Sequence, residues 1–167
     1  MMVLKSLDYE RSARRDLTVW LMLLVGLGFL AAGLSVVPEE NCNAAGECAP
    51  WLVPVAKWMG AGFALMAAGQ LLANPTRGCR IDPESGDLIW WKNRNAAFPG
   101  QAGRIAPAQI ARITLRRVSE GDDAISLFDQ DGQRQFWFDA EVLPWPQDRW
   151  LKALVARHPH IKLEISG

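Results

Sequence analysis

Two long apolar runs constrain this chain more than any other feature. Leu17 to Val37 holds no charged residue and Trp51 to Ala73 holds only Lys57, giving stretches of 21 and 23 residues. Each matches the roughly 20 residues a helix needs to cross a hydrocarbon core. Whole-chain averages hide this, because 18 Lys and Arg balance 18 Asp and Glu for a net charge of +0. That balance argues against a general nucleic-acid binder, which carries a basic excess. Residues 74–167, beyond the second run, are enough chain for one small domain.

The segment between the runs, Pro38 to Pro50, reads PEENCNAAGECAP. Its prolines and glycine stop both helices, and its length suits antiparallel neighbours, so the sequence predicts a transmembrane helical hairpin over about 17–37 and 51–73. A secretory signal peptide fits poorly, because the first run exceeds an apolar signal core and no small-residue cleavage site comes promptly after it. The first run is therefore read as a retained anchor. Orientation is set by the basic residues near the helix ends. Lys5, Arg11, Arg14 and Arg15 precede the first run, and Arg77, Arg80, Lys92 and Arg94 come after the second. The connection has no Lys or Arg and carries Glu39, Glu40 and Glu47. Both termini are expected in the cytoplasm of a bacterium, with only the connection outside the inner membrane.

Beyond Arg77 the pattern changes to period two, as half-buried strands require. Residues 78–93 place a Pro-Glu-Ser-Gly-Asp turn between two extended runs, and 95–103 read as a loop. Ile113 to Val118 and Ala124 to Phe128 alternate. Asp131-Gly132 then turns the chain into an expected strand over Gln133 to Asp139, with Phe136 and Phe138 sharing the core face and Trp137 on the other. Pro146 opens an amphipathic helix carrying Trp150, Leu151, Leu154 and Val155 on one face. Ile161, Leu163 and Ile165 alternate as a last strand. The expected fold class is an α+β membrane protein: tail and hairpin over 1–76, then a small antiparallel β domain with one C-terminal amphipathic helix over 77–167.

Several residues are candidates for chemistry or binding. Cys42 and Cys48 fall in the outside loop, where an oxidising compartment lets them form a disulfide; Cys79 falls on the reducing side. Neither loop cysteine has the further ligands a zinc site needs. Lys57 lies about 9 Å below the outer helix end by helical rise, within snorkelling reach of the interface. Trp20, Trp51 and Trp58 read with it as membrane anchors. Gly60, Ala64 and Ala68 form a small-residue stripe on the second run, with Gly28 and Ala32 offered by the first, that packs the hairpin or a homo-oligomer. Asp129 and Asp131 fail as a calcium loop, since the sixth position is Arg134 and the twelfth Ala140. His158 and His160 lack companion ligands. No nucleophile motif or phosphate loop appears, so no catalytic residue, metal or cofactor is expected. Trp137, with Arg112, Arg116 and Arg134 as basic companions, is the expected binding face.

The order of elements from Cys79 onward, with the Asp131-Gly132 turn, Phe136, Phe138 and one helix over Trp150 to Val155, resembles the pleckstrin-homology-like domains of small bacterial membrane proteins. The strand Ile161 to Ile165 departs from that family's usual ending. The resemblance implies a binding platform, not an active site, and carries over no lipid-binding residue. The sequence thus points to a non-enzymatic membrane-anchored module for a protein partner or lipid headgroups. An immunity protein neutralising a bacterial toxin is the alternative. A channel subunit would need a polar stripe that Lys57 and Gln70 do not supply.

Overall fold

A computed structural model describes residues 7–121 and 123–167; Lys5, one of the orienting charges, lies outside them. The described chain divides into two compact units. One spans Ser12–Asn74; the other combines Met1–Arg11 with Pro75–Gly167. The helical unit is therefore an insertion within the β unit, and the boundary expected at residue 77 misses the N-terminal contribution.

The helical unit holds α1 (Leu17–Ser35) and α2 (Leu52–Ala73), close to the predicted bounds. The Asp16 side chain accepts from Thr18 N–H at 3.1 Å and starts α1. Asn74, in the left-handed conformation, ends α2. Arg14 joins the two termini of this unit. Its backbone N–H donates to Asn74 Oδ1 at 3.2 Å, and its Nε–H donates to Leu71 O at 3.0 Å, placing a cation on the orphan carbonyls of a helix C-terminus.

The β unit holds β1 (Tyr9–Ser12), β2 (Thr76–Ile81), β3 (Leu88–Arg94), β4 (Gln101–Ile105), β5 (Ile110–Arg116), β6 (Ala124–Asp129), α3 (Gln147–Arg157) and β7 (Lys162–Ser166). Two sheets result, ordered β1-β2-β3-β4 and β6-β5-β7. The β2–β3, β3–β4 and β5–β6 pairs are antiparallel. β7 returns from α3 to lie parallel to β5, Ile113 beside Leu163 and Leu115 beside Ile165. The β domain is therefore not wholly antiparallel, because a helix between β6 and β7 carries the chain back to the far end of the sheet.

Both sheets and α3 feed one core. Leu88, Trp90, Ile113, Leu115, Ile125, Leu127, Phe138, Trp150 and Leu154 are among its buried members. Trp90 meets Phe138 edge-on with centroids 5.4 Å apart, the arrangement the ring quadrupoles favour. Leu7 belongs to the same core, and its carbonyl accepts from Trp150 Nε1–H at 3.0 Å. The stretch read as a polar tail thus supplies a core side chain, a backbone acceptor for a buried indole, and β1.

Gln133 to Asp139 does not form the expected strand. Asp129 Oδ1 accepts from the N–H groups of Asp131 at 3.1 Å and Gln133 at 2.8 Å, and pairing stops at one bridge, Phe128 with Arg134. Trp137 then takes φ +65°, which breaks the alternation of faces. Phe136 is 76% exposed while Phe138 is buried. The Phe136 carbonyl, which a ladder would have used, accepts from Trp90 Nε1–H at 2.9 Å. The expectation that both phenylalanines enter the core is corrected to Phe138 alone.

Candidate functional site

The hairpin packs through small residues, though not all the expected ones. A Cβ on Gly26 would lie 2.6 Å from Ala64 N, and one on Gly33 would lie 2.8 Å from the Lys57 backbone. The backbones therefore touch, and these pairings make the helices antiparallel. Buried positions recur every seven residues, Val19, Gly26 and Gly33 on α1 and Val53, Gly60 and Ala67 on α2. That period keeps one seam facing its partner along both helices. Gly60 and Ala64 both pack within this seam. Gly28, expected to pack, has nothing within 4 Å of its Cβ direction.

Outside the seam the helices are uncovered. Only 11% of the most apolar stretch of α1 and 22% of that of α2 are buried. Leu24, Leu34, Leu65 and Leu72 are exposed, as are Trp20, Trp51 and Trp58. Trp20 Nε1–H donates to Arg14 O at 3.0 Å, so this ring's polar edge is held at the α1 terminus. Lys57 is exposed beside Trp58.

In the connecting loop a disulfide joins Cys42 and Cys48. Asn43 organises the turn between them, its Oδ1 accepting from the N–H groups of Ala45 and Glu47, both at 3.0 Å. Cys79 is fully buried in the β unit. Burial, and secondarily the nearby Asp8 charge, push its thiol far above its ordinary value, so it is chemically quiet.

The predicted binding residues are only partly brought together. β5 turns Ile113 and Leu115 inward and Arg112, Thr114 and Arg116 outward, as strand alternation requires. Register then sets Lys162, Arg112, Phe128 and Arg134 in one row across the outer face. The Arg112 guanidinium lies 4.5 Å from the Phe128 ring centroid, a cation–π geometry. Glu164 answers part of this charge, 2.9 Å from Lys162 Nζ and 3.6 Å from Arg112 Nη1. The Lys162 contact, outweighing partial desolvation and aided by Arg112, holds the Glu164 carboxyl below its ordinary range. Arg116 shares the face two residues beyond Thr114. Trp137 belongs to the turn after β6, and no hydrogen bond or ring contact among the described residues joins it to the three arginines. The aromatic partner of the basic row is Phe128, which sequence reasoning did not single out.

Sequence reasoning also missed a cavity of about 490 Å³ on the β2–β3–β4 face, lined by Arg80, Ile89, Trp91, Arg94, Asn95 and Phe98 among others. The only signal for it in the sequence is Trp91 itself: next to core-facing Trp90, it has to point to the opposite face. No family model, curated protein or solved structure matches this chain.

Proposed function

We propose that this chain is a non-enzymatic, membrane-anchored binding module. In this reading α1 and α2 cross a bacterial inner membrane, and the β unit presents its surface to a protein partner or lipid headgroups on the cytoplasmic side. One observation carries it: two helices of spanning length leave most of their apolar side chains uncovered, while the β unit has its own complete core. A core helix of a water-soluble fold would be mostly buried, and exposed apolar area on this scale needs a cover. Only Asn74 and Pro75 separate α2 from β2, so a β unit on such a tether stays beside whatever bilayer the helices cross. The charge pattern across the connection supports the orientation. The strands with α3 after them support a pleckstrin-homology-like reading of the β unit, with β7 as an added parallel strand.

Alkaline carbonate washing of membranes from cells making the full chain tests the anchor. The protein is expected to stay in the pellet and leave only with detergent. Release into the carbonate supernatant would contradict the reading.

A further inference from the structure

Trp91 is buried away from the core. Trp90 enters the core, whereas Trp91 is 6% exposed and belongs to no core cluster. The loop 95–100 lies over the same face and walls the cavity beside it. This wall is braced. Asn95 Oδ1 accepts from the N–H groups of Ala97 at 2.9 Å and Phe98 at 2.8 Å, and Phe98 O accepts from Asn95 N–H at 2.9 Å. Trp91 Nε1–H donates to Thr76 Oγ1 at 3.2 Å, and the Thr76 hydroxyl donates to Arg94 O at 3.1 Å. Gly100 has φ +70°, and a Cβ there would lie 2.8 Å from Arg94 N. The cavity is thus preformed, with a volume in the range of small-ligand sites.

Its charge is one-sided. Arg80 and Arg94 line it and no carboxylate does. Arg104, on the same face of β4, is already used by Asp87 and Asp82. Arg80 adds only a longer-range influence on Asp82, and among the described residues neither the Arg80 nor the Arg94 guanidinium makes a hydrogen bond or ion pair. Phe98 stands at the rim, 69% exposed. Two unmatched guanidiniums, with their planar forks, select an oxyanion. An aromatic wall and rim select an apolar body attached to it.

We propose that this cavity binds a phosphate ester of an apolar group, its phosphate held by Arg80 and Arg94 and its body resting against Ile89, Trp91 and Phe98. A lipid phosphate and a soluble aryl or alkyl phosphate share this chemistry. The proposal deepens the binding reading and does not depend on membrane insertion, so the two fail separately.

Calorimetric titration of the detergent-solubilised full chain with phenyl phosphate and with inorganic phosphate tests it. Phenyl phosphate is expected to saturate, with inorganic phosphate at least roughly ten-fold weaker because it lacks the apolar body. Arg80→Gln and Arg94→Gln should each weaken phenyl phosphate by about ten-fold or more, the scale of a lost charge-assisted hydrogen bond. Phe98→Ala should narrow the gap between the two ligands. Arg149→Gln, at an exposed position on α3 outside both sites, should change nothing, and melting curves should match throughout. Competition by micellar phosphatidic acid, with phosphatidylcholine as control, would assign a lipid source; undisplaced phenyl phosphate would assign a soluble ester. No saturation up to about 10 mM phenyl phosphate, affinity unchanged in both cavity variants, or equal loss in Arg149→Gln would overturn the proposal.

Discussion

Phe136 and Phe138 are two residues apart and have opposite fates, which makes them the sharpest pair for mutation. Phe138→Ala removes a buried ring that packs on Trp90 and Trp150, and should cost about 3–5 kcal/mol. Phe136→Ala removes an exposed ring and should stay within about 0.5 kcal/mol; paired thermal melts in detergent read both. Thiol counting tests the cysteines. In native protein without reductant no thiol should label, because Cys79 is buried and Cys42 and Cys48 are paired. Unfolding should expose one thiol, and reduction three. Three thiols in unfolded, unreduced protein would remove the disulfide. Lys92 is the best pH probe. Burial acts to lower its ammonium, but Asp139 at 2.8 Å and Glu141 at 2.6 Å outweigh that and hold it above its ordinary value of 10.5. A raised folded-state value means the protonated, folded form is favoured: the contribution is full below about 10.5 and is lost as pH rises through the higher folded value. Melting temperature should therefore fall on a basic limb above that pH, and Lys92→Gln should flatten the limb.

At the scale of elements, the hairpin seam gives a clean contrast between glycines. Gly26→Leu drives a side chain into the α2 backbone and should break the hairpin, whereas Gly28→Leu points into open space and should be tolerated. Detergent melts, or crosslinking between the helices, separate the two outcomes. Sequence periodicity located α1, α2, α3, the β2–β3 hairpin and most of β5 to β7, because apolar spacing alone dictates those faces. It chose the wrong glycine on α1, since any residue on a uniformly apolar helix fits the pattern and only the partner selects a face. It missed β4, where Gly103 and Ala102 leave no alternation to read. It also drew a strand through Trp137, because a single left-handed residue with a bulky side chain has no sequence signature. Of the candidate site, Arg112 and Arg116 were legible as outward charges on one strand, whereas Arg134 joins their row through a single bridge and not through the strand expected there. The Arg80 and Arg94 cavity was not, because a braced loop builds its wall and no apolar period marks such a loop.

At the scale of the molecule, the chain is one β unit interrupted by a hairpin. β1 lies beside β2 in the sheet although α1 and α2 separate them in sequence. A chain starting at Pro75 would lack β1, the buried Leu7 side chain and the acceptor for Trp150. Deleting residues 1–11 from the full chain should accordingly lower the β unit's melting temperature substantially, seen as loss of the buried-tryptophan fluorescence at a temperature where the parent stays folded. This architecture also bears on topology independently of the basic residues. Strands that share a sheet share a compartment, so a membrane-crossing hairpin between them must return to the side it left. The most direct measurement is a set of topology reporters on the full chain: at the N-terminus, after Ala45 and after Gly167. Both termini are expected in the cytoplasm and Ala45 outside. Termini on opposite sides, or Ala45 on the same side as both, would contradict this topology.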